Sequence, residues 1–217
     1  MMRWMTGIVA GVVALGVVSA AQLKTPTDWK WRMDTPGKVI EAGEPGPGEM
    51  HFVGMPPGWH ISTGPGALLY HADHALKGNF AIEAEVFLFP GDSQEEYGVF
   101  MGGRNLEAGQ SPVYTAFVAR RDGRGAVIRQ TGAAPIVAWK LNQAILPHPG
   151  KETVKNVFRV DVNPKDVVFT ANGKEVATLA RTEVSVEGLF GFRVGSGMNL
   201  HASRMDVTQK LAPVPVK

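Results

Sequence analysis

The chain has 217 residues, no cysteine, 6 histidines and a formal net charge of +2. That length suits one sizeable β domain and is short for two. Lacking cysteine, the chain has no disulfide framework, thiolate metal site, cysteine nucleophile or lipid-anchored N-terminal cysteine. Its scattered basic residues do not make the broad basic face of a nucleic-acid binder.

The N-terminus reads as a processing signal. Arg3 supplies the positive start, Gly7 to Val18 is an apolar or small-residue run, and Ser19-Ala20-Ala21 offers small residues for cleavage. The run is shorter than the roughly 20 apolar residues of a membrane span. Residues 1–21 are therefore expected to be removed, leaving an exported chain with no membrane span; an uncleaved anchor is the alternative. An exported chain without cysteine or an Asn-x-Ser/Thr sequon leans toward a bacterial envelope, secreted or periplasmic.

Residues 22–209 are read as one domain and 210–217 as an extended tail. Trp29 and Trp31 share a face if their segment is extended. Pro36 to Pro57 is rich in Gly and Pro and predicts a loop or an edge crossing rather than a central strand. Short strands follow at Trp59 to Ser62 and Ala67 to His71. Asn79 to Phe89 carries the clearest alternation: Phe80, Ile82, Ala84, Val86 and Leu88 on one face, and Ala81, Glu83, Glu85, Phe87 and Phe89 on the other. Tyr97 to Met101, Val113 to Arg120 and Gly125 to Gln130 read as further strands. Gly132 to Gly150 reads as irregular, with one possible helical turn at Asn142 to Leu146. Val154 to Val162 alternates, turns at Asn163-Pro164-Lys165-Asp166 and returns as Val167 to Ala171. Asn172-Gly173 then supplies the tight turn into Lys174 to Leu179. Gly188 to Val194 and Asn199 to Val207 complete the series. This pattern predicts an all-β, two-sheet antiparallel jelly-roll sandwich.

Several segments resemble one superfamily. Gly78-Asn79-Phe80-Ala81-Ile82-Glu83-Ala84-Glu85-Val86 is similar to the G-x-F-x-x-x-x-E strand of concanavalin A-like lectin/glucanase domains. Tyr97 to Arg104, Val168 to Gly173 and Gly188 to Gly195 resemble its next strand, late hairpin and penultimate strand. Within that superfamily the chain looks like secreted bacterial domains near the 3-keto-disaccharide hydrolase branch. It departs from that branch where Glu96-Tyr97-Gly98 replaces Asn-Ser-Gly, where Gly102 stands in place of an Arg, and where Phe87 does so after Glu85.

Glu83 and Glu85 would lie on one strand face with Cα atoms about 6.6 Å apart. The carboxyl groups of glycosidases stand about 5–5.5 Å apart in retaining enzymes and 6.5–9.5 Å in inverting ones. Glucanases of this fold use Glu-x-Asp-x-x-Glu, and here Leu88 takes the last position. The plainer expectation is a half-solvated face on which both glutamates pair with arginines of neighbouring strands. The candidate ligand set is Glu83, Glu85, Tyr97, Arg104, Tyr114, Arg120 and Trp139: flat rings for a sugar's C–H face and polar groups for its hydroxyls. A groove lined by Glu83, Glu85, Tyr114 and Arg120 would mark the site. His71-Ala72-Asp73-His74 reads as a solvated loop after a strand end rather than a metal site. No cofactor is expected, and calcium through Asp73 or Asp92 lacks a continuous motif. The leading reading is non-catalytic binding of a glycan or another extracellular ligand; the alternatives are a glycoside hydrolase of the 3-keto-disaccharide hydrolase type using Glu85, and a structural or protein-interaction module of the envelope.

Overall fold

The computed structural model describes residues 23–130 and 132–210. The expected signal and most of the C-terminal tail lie outside the described residues.

The first strands are β1 (Trp29–Met33), β2 (Lys38–Ile40), β3 (Glu49–Gly54), β4 (Trp59–Thr63) and β5 (Ala67–Leu76). Next come β6 (Phe80–Leu88), β7 (Glu96–Arg104), β8 (Val113–Arg120), β9 (Arg124–Ile128) and β10 (Val137–Leu141). The chain ends with β11 (Val154–Val162), β12 (Asp166–Ala171), β13 (Lys174–Ala180), β14 (Gly188–Val194) and β15 (Asn199–Gln209). Only a short 3₁₀ turn at Arg181–Glu183 is helical among the described residues. One sheet has seven strands in the order β1-β5-β14-β7-β8-β9-β10, the other eight in the order β13-β12-β11-β6-β15-β4-β3-β2. Every pairing is antiparallel except β2 with β3.

The main core lies between the sheets. Phe80, Ile82, Ala84, Val86 and Leu88 all point into it, as their alternation predicts. Opposite them in register stand Val162, Val160, Phe158, Asn156 and Val154 of β11. Phe117 meets Phe158 and Phe169 edge-on, with ring centroids 5.5 and 5.6 Å apart. A fully buried Phe or Leu contributes about 1.5–3 kcal/mol, so this layer dominates the stabilisation. The hairpins close as their residues require. Asn163 N–H donates to the Asp166 carbonyl at 2.9 Å, and Asn172 and Gly173 take φ of 50° and 76°.

Three segments differ from the sequence reading. Pro36 to Pro57 contains two strands, and in β3 Met50, Phe52 and Val53 are fully buried. The prolines lie outside both strands, and Gly54 ends β3. Gly132 to Gly150 contains the edge strand β10, and its expected helical turn is a single turn closed by Ile145 N–H to the Asn142 carbonyl at 3.0 Å. His71 to His74 is strand rather than loop, because β5 continues to Leu76 with a bulge against β14.

Candidate functional site

The sandwich turns two outer faces to its surroundings. On the eight-stranded sheet, β6 sends out Glu83, Glu85 and Phe87, flanked by Lys155 and Arg159 of β11 and by His201, Ser203 and Arg204 of β15. Glu83 accepts hydrogen bonds from Arg159 Nη1 at 3.3 Å and Arg204 Nη2 at 2.7 Å. Glu85 accepts from Ser203 Oγ at 2.8 Å and Lys155 Nζ at 3.1 Å. The Ser203 hydroxyl first, then Lys155, hold the Glu85 carboxyl below its ordinary pKa. Both glutamates are thus paired across strands: Glu83 with two arginines, as the plainer reading expected, and Glu85 with a serine and a lysine in place of an arginine. Beside Glu85, the Phe87 ring opens onto a cavity of about 440 Å³ walled by Met55, Pro56, Pro57, Phe89, Thr153, His201 and Ser203. Its walls are chiefly apolar, with Glu85 and Ser203 among the polar groups that line it. His201 Nε2 lies 2.8 Å from the Pro57 carbonyl, which fixes one wall. Next to it His60 packs against His51 and Phe89, with centroids 5.4 and 5.7 Å away. Burial, then the fields of His51 and His201, lower its pKa.

The seven-stranded sheet's outer face is different. Alternate residues of its strands, among them Leu68, Tyr70, Phe100, Tyr114, Ala116, Val118, Ala126 and Ile128, form a second buried apolar cluster. Across it runs a charged strip. Arg193, 1% exposed, donates to both Asp34 oxygens at 2.8 and 2.7 Å and twice to Glu96 Oε1 at 3.1 and 2.9 Å. Burial alone would weaken its charge; the hydrogen bonds and field of Asp34 outweigh that and raise its pKa. Arg120, the register partner of Glu96, places its guanidinium 4.0 Å from the Trp139 ring centroid.

The predicted site residues therefore divide. Glu83 and Glu85 stand on one outer face, Tyr114, Arg120 and Trp139 on the other, so the predicted groove of Glu83, Glu85, Tyr114 and Arg120 does not exist. The reason is topological: β6 and β8 belong to different sheets. Tyr97 is a core residue with no exposed surface, and burial pushes its pKa up to about 12. Its hydroxyl accepts from Asn156 Nδ2 at 3.0 Å, part of a buried network that also ties Leu146 and Asn172. Arg104 is exposed at the end of β7 and donates to Ser185 Oγ at 3.3 Å. Tyr114 is buried, edge-on to Phe100 at 5.9 Å.

Arg120, Arg121 and Arg124, close in sequence, take separate partners. Arg121 is buried and holds the carbonyls of Phe89 and Ser93 at 3.1 and 3.2 Å, while Arg124 pairs with Asp122. His71 and His74 stack at 3.8 Å, and His71 Nε2 lies 3.0 Å from Asp28. Among the described residues no group of three or more His, Cys, Asp or Glu is placed to hold a metal, and no helix is long and apolar enough to cross a membrane.

Two features escaped the sequence reading. The Phe87–His201–Pro57 cavity was signalled only by an aromatic ring on the polar face of β6. The Asp34–Arg193–Glu96 triad was signalled by an arginine between Phe192 and Val194 in an otherwise apolar strand.

No family model and no curated protein matches this chain. Solved structures do. A Bacillus subtilis protein of unknown function with a galectin-like fold is 12% identical over 84% of this chain and 89% of that one, with a TM-score of 0.58. The carbohydrate-binding module CBM66 from Bacillus subtilis is 10% identical over 74% and 92%, at 0.56. A Bacteroides ovatus GH16 protein from a mixed-linkage glucan locus, in complex with product, is 10% identical over 86% and 97%, at 0.53. The fold is the concanavalin A-like jelly roll. At these identities the likeness carries the fold, and neither the keto-disaccharide hydrolase branch nor an activity.

Proposed function

We propose that this protein is an exported, non-catalytic carbohydrate-binding jelly roll whose ligand seats in the Phe87–Glu85 cavity. One observation carries the reading: a cavity of about 440 Å³ in which a half-buried Phe ring adjoins a carboxylate fixed by a hydroxyl and an ammonium. A sugar ring needs that combination, a flat apolar surface for its C–H face and convergent polar groups for its hydroxyls. The fold likeness to a carbohydrate-binding module agrees with it.

The non-catalytic part rests on chemistry. A glycosidase needs one carboxylic acid kept protonated near neutral pH. Glu85 is shifted the opposite way, Glu83 sits between two guanidiniums, and the position of the glucanases' last glutamate is Leu88, sealed in the core. Export rests on the pattern of residues 1–21, and N-terminal sequencing of the protein recovered from a bacterial periplasm tests it: a start at Ala21 or Gln22 is expected, and a start at Met1 contradicts it.

A glycan array followed by calorimetry tests the binding. Phe87→Ala should weaken the best ligand at least tenfold and Glu85→Gln several-fold. Silence across the array would end the carbohydrate reading. Release of reducing sugar that vanishes in Glu85→Gln would replace it with a hydrolase, and recovery of one envelope protein without any glycan signal would replace it with an interaction module.

A further inference from the structure

At the margin of the seven-stranded sheet, beside its outer apolar cluster, the surface dips into a cavity of about 350 Å³. β1 is the outermost strand there and pairs only with β5. Alternation turns Trp29 and Trp31 toward the core side of β1, and Lys30 and Arg32 toward the outer side. Lys30 stands opposite Tyr70 in register, so these two side chains share the outer face. Both line the cavity, together with Leu106, Glu107 and Gln110 of the loop after β7.

The cavity is built rather than loose. The Arg32 guanidinium donates to the carbonyls of Asn105 at 3.5 Å, Gln110 at 2.6 Å, and Glu107. One side chain thereby fastens the 105–110 loop to β1. Leu106 anchors the same loop in the apolar cluster, where Tyr70 also packs. A wall fixed in advance loses little entropy on binding.

Tyr70 is the decisive group. It is only 5% exposed, yet its hydroxyl has no hydrogen-bond partner among the described residues. Burial, then the field of Glu107, hold its pKa above the ordinary value, so the phenol stays protonated and able to donate. A hydroxyl left unpaired at a buried position is destabilising, and a ligand acceptor in the cavity relieves it.

The charges select the ligand class. Lys30 and Glu107 are of opposite sign, and neither side chain makes an ion pair or hydrogen bond with the described residues. A neutral ligand would strip water from both charges without replacing it by an opposite charge. A simple anion would meet Glu107, and a simple cation would meet Lys30. A zwitterion satisfies both walls. Its carboxylate takes Lys30 and the Tyr70 hydroxyl, and its ammonium takes Glu107.

We propose that this cavity binds a small zwitterion, recognised by the free ammonium and free carboxylate of an amino acid or a short peptide. It stands independently of the Phe87 cavity, which lies on the other sheet.

Amide chemical-shift titration of the full mature chain with glycine, diglycine and triglycine tests this, each probe also being offered as its N-acetyl and its C-terminal amide form. At least one free form should bind, and blocking either end of the best one should weaken it at least tenfold. Lys30→Met and Glu107→Gln should each do the same. Both side chains are exposed, so their melting curves should be unchanged and a lost affinity is not lost folding. Tyr70→Phe, which keeps the ring in its cluster, should weaken binding several-fold, and Phe87→Ala should leave it intact. Tightest binding of glycine would identify the source as a free amino acid, and of diglycine or triglycine as a peptide. No binding of any free form overturns the site, and equal binding of a blocked form overturns the ligand class. Unchanged affinity in Lys30→Met, Glu107→Gln and Tyr70→Phe, with loss in Phe87→Ala, would put the zwitterion in the other cavity and overturn the assignment. None of these failures touches the glycan reading, whose own variants are Phe87→Ala and Glu85→Gln on the array.

Discussion

The two outer faces of the sandwich were built from similar strands and ended with opposite characters. On the eight-stranded sheet, β6 alternates apolar with polar, so its outward residues remain half-solvated, paired across strands and open to a ligand. On the seven-stranded sheet, β7, β8 and β9 are largely apolar on both sides, so many outward residues are buried in a second cluster, and the buried Arg193 is held there inside a triad. Strict period-2 patterning keeps a face available for chemistry; apolar patterning on both sides spends it on stability.

The sharpest way to break this contrast is to make the same kind of change on each face. Arg193→Met leaves Glu96 buried without a cation, and should cost about 3–5 kcal/mol in a denaturant titration. A loss under about 1 kcal/mol would show that the triad is not the fully engaged element described. Between the two faces, in the core, Asn156→Leu is expected to cost about 2–3 kcal/mol, because the Tyr97 hydroxyl and the Leu146 backbone groups lose their partner. Full stability in that variant would mean that the network relaxes around it.

Protonation separates the faces further. The folded pKa of His60 lies below its ordinary value, so the unfolded chain binds its proton first. Stability from neutral His60 is therefore present above about pH 6.5 and is lost as pH falls from there toward the folded pKa. The unmodified chain should lose stability between pH 7.5 and 5.5, and His60→Gln should flatten that slope; an identical slope in both would remove His60 as its source. Smallest of all is Glu83→Gln, whose partners are partly solvated. It should shift stability by less than about 1 kcal/mol.

Much of the fold was legible because its strands state their own period. Val154 to Val162 and Gly188 to Val194 were bounded as observed, and Asn172-Gly173 announced its turn by needing positive φ. β3 was hidden because its apolar residues, Met50, Phe52 and Val53, sit between glycine- and proline-rich flanks that imitate a loop. The candidate site was half legible. That Glu83 and Glu85 share a face follows from period alone, whereas their cationic neighbours come from the pairing of β11 and β15 with β6. That Tyr114 and Arg120 lie behind them does not, since it depends on the crossover that sends β6 and β7 into different sheets. Tyr97 looked like a ligand platform because its period cannot say which side of its sheet is the core.

The central claim is that the open face of the eight-stranded sheet holds the carbohydrate. Backbone chemical-shift mapping, during titration with the best oligosaccharide from the array, tests it directly. The largest shifts are predicted at Phe87, Phe89, His201 and Ser203, with those of Arg120 and Trp139 unmoved. Shifts concentrated at Arg120 and Trp139, with Phe87 and Ser203 unmoved, would contradict it.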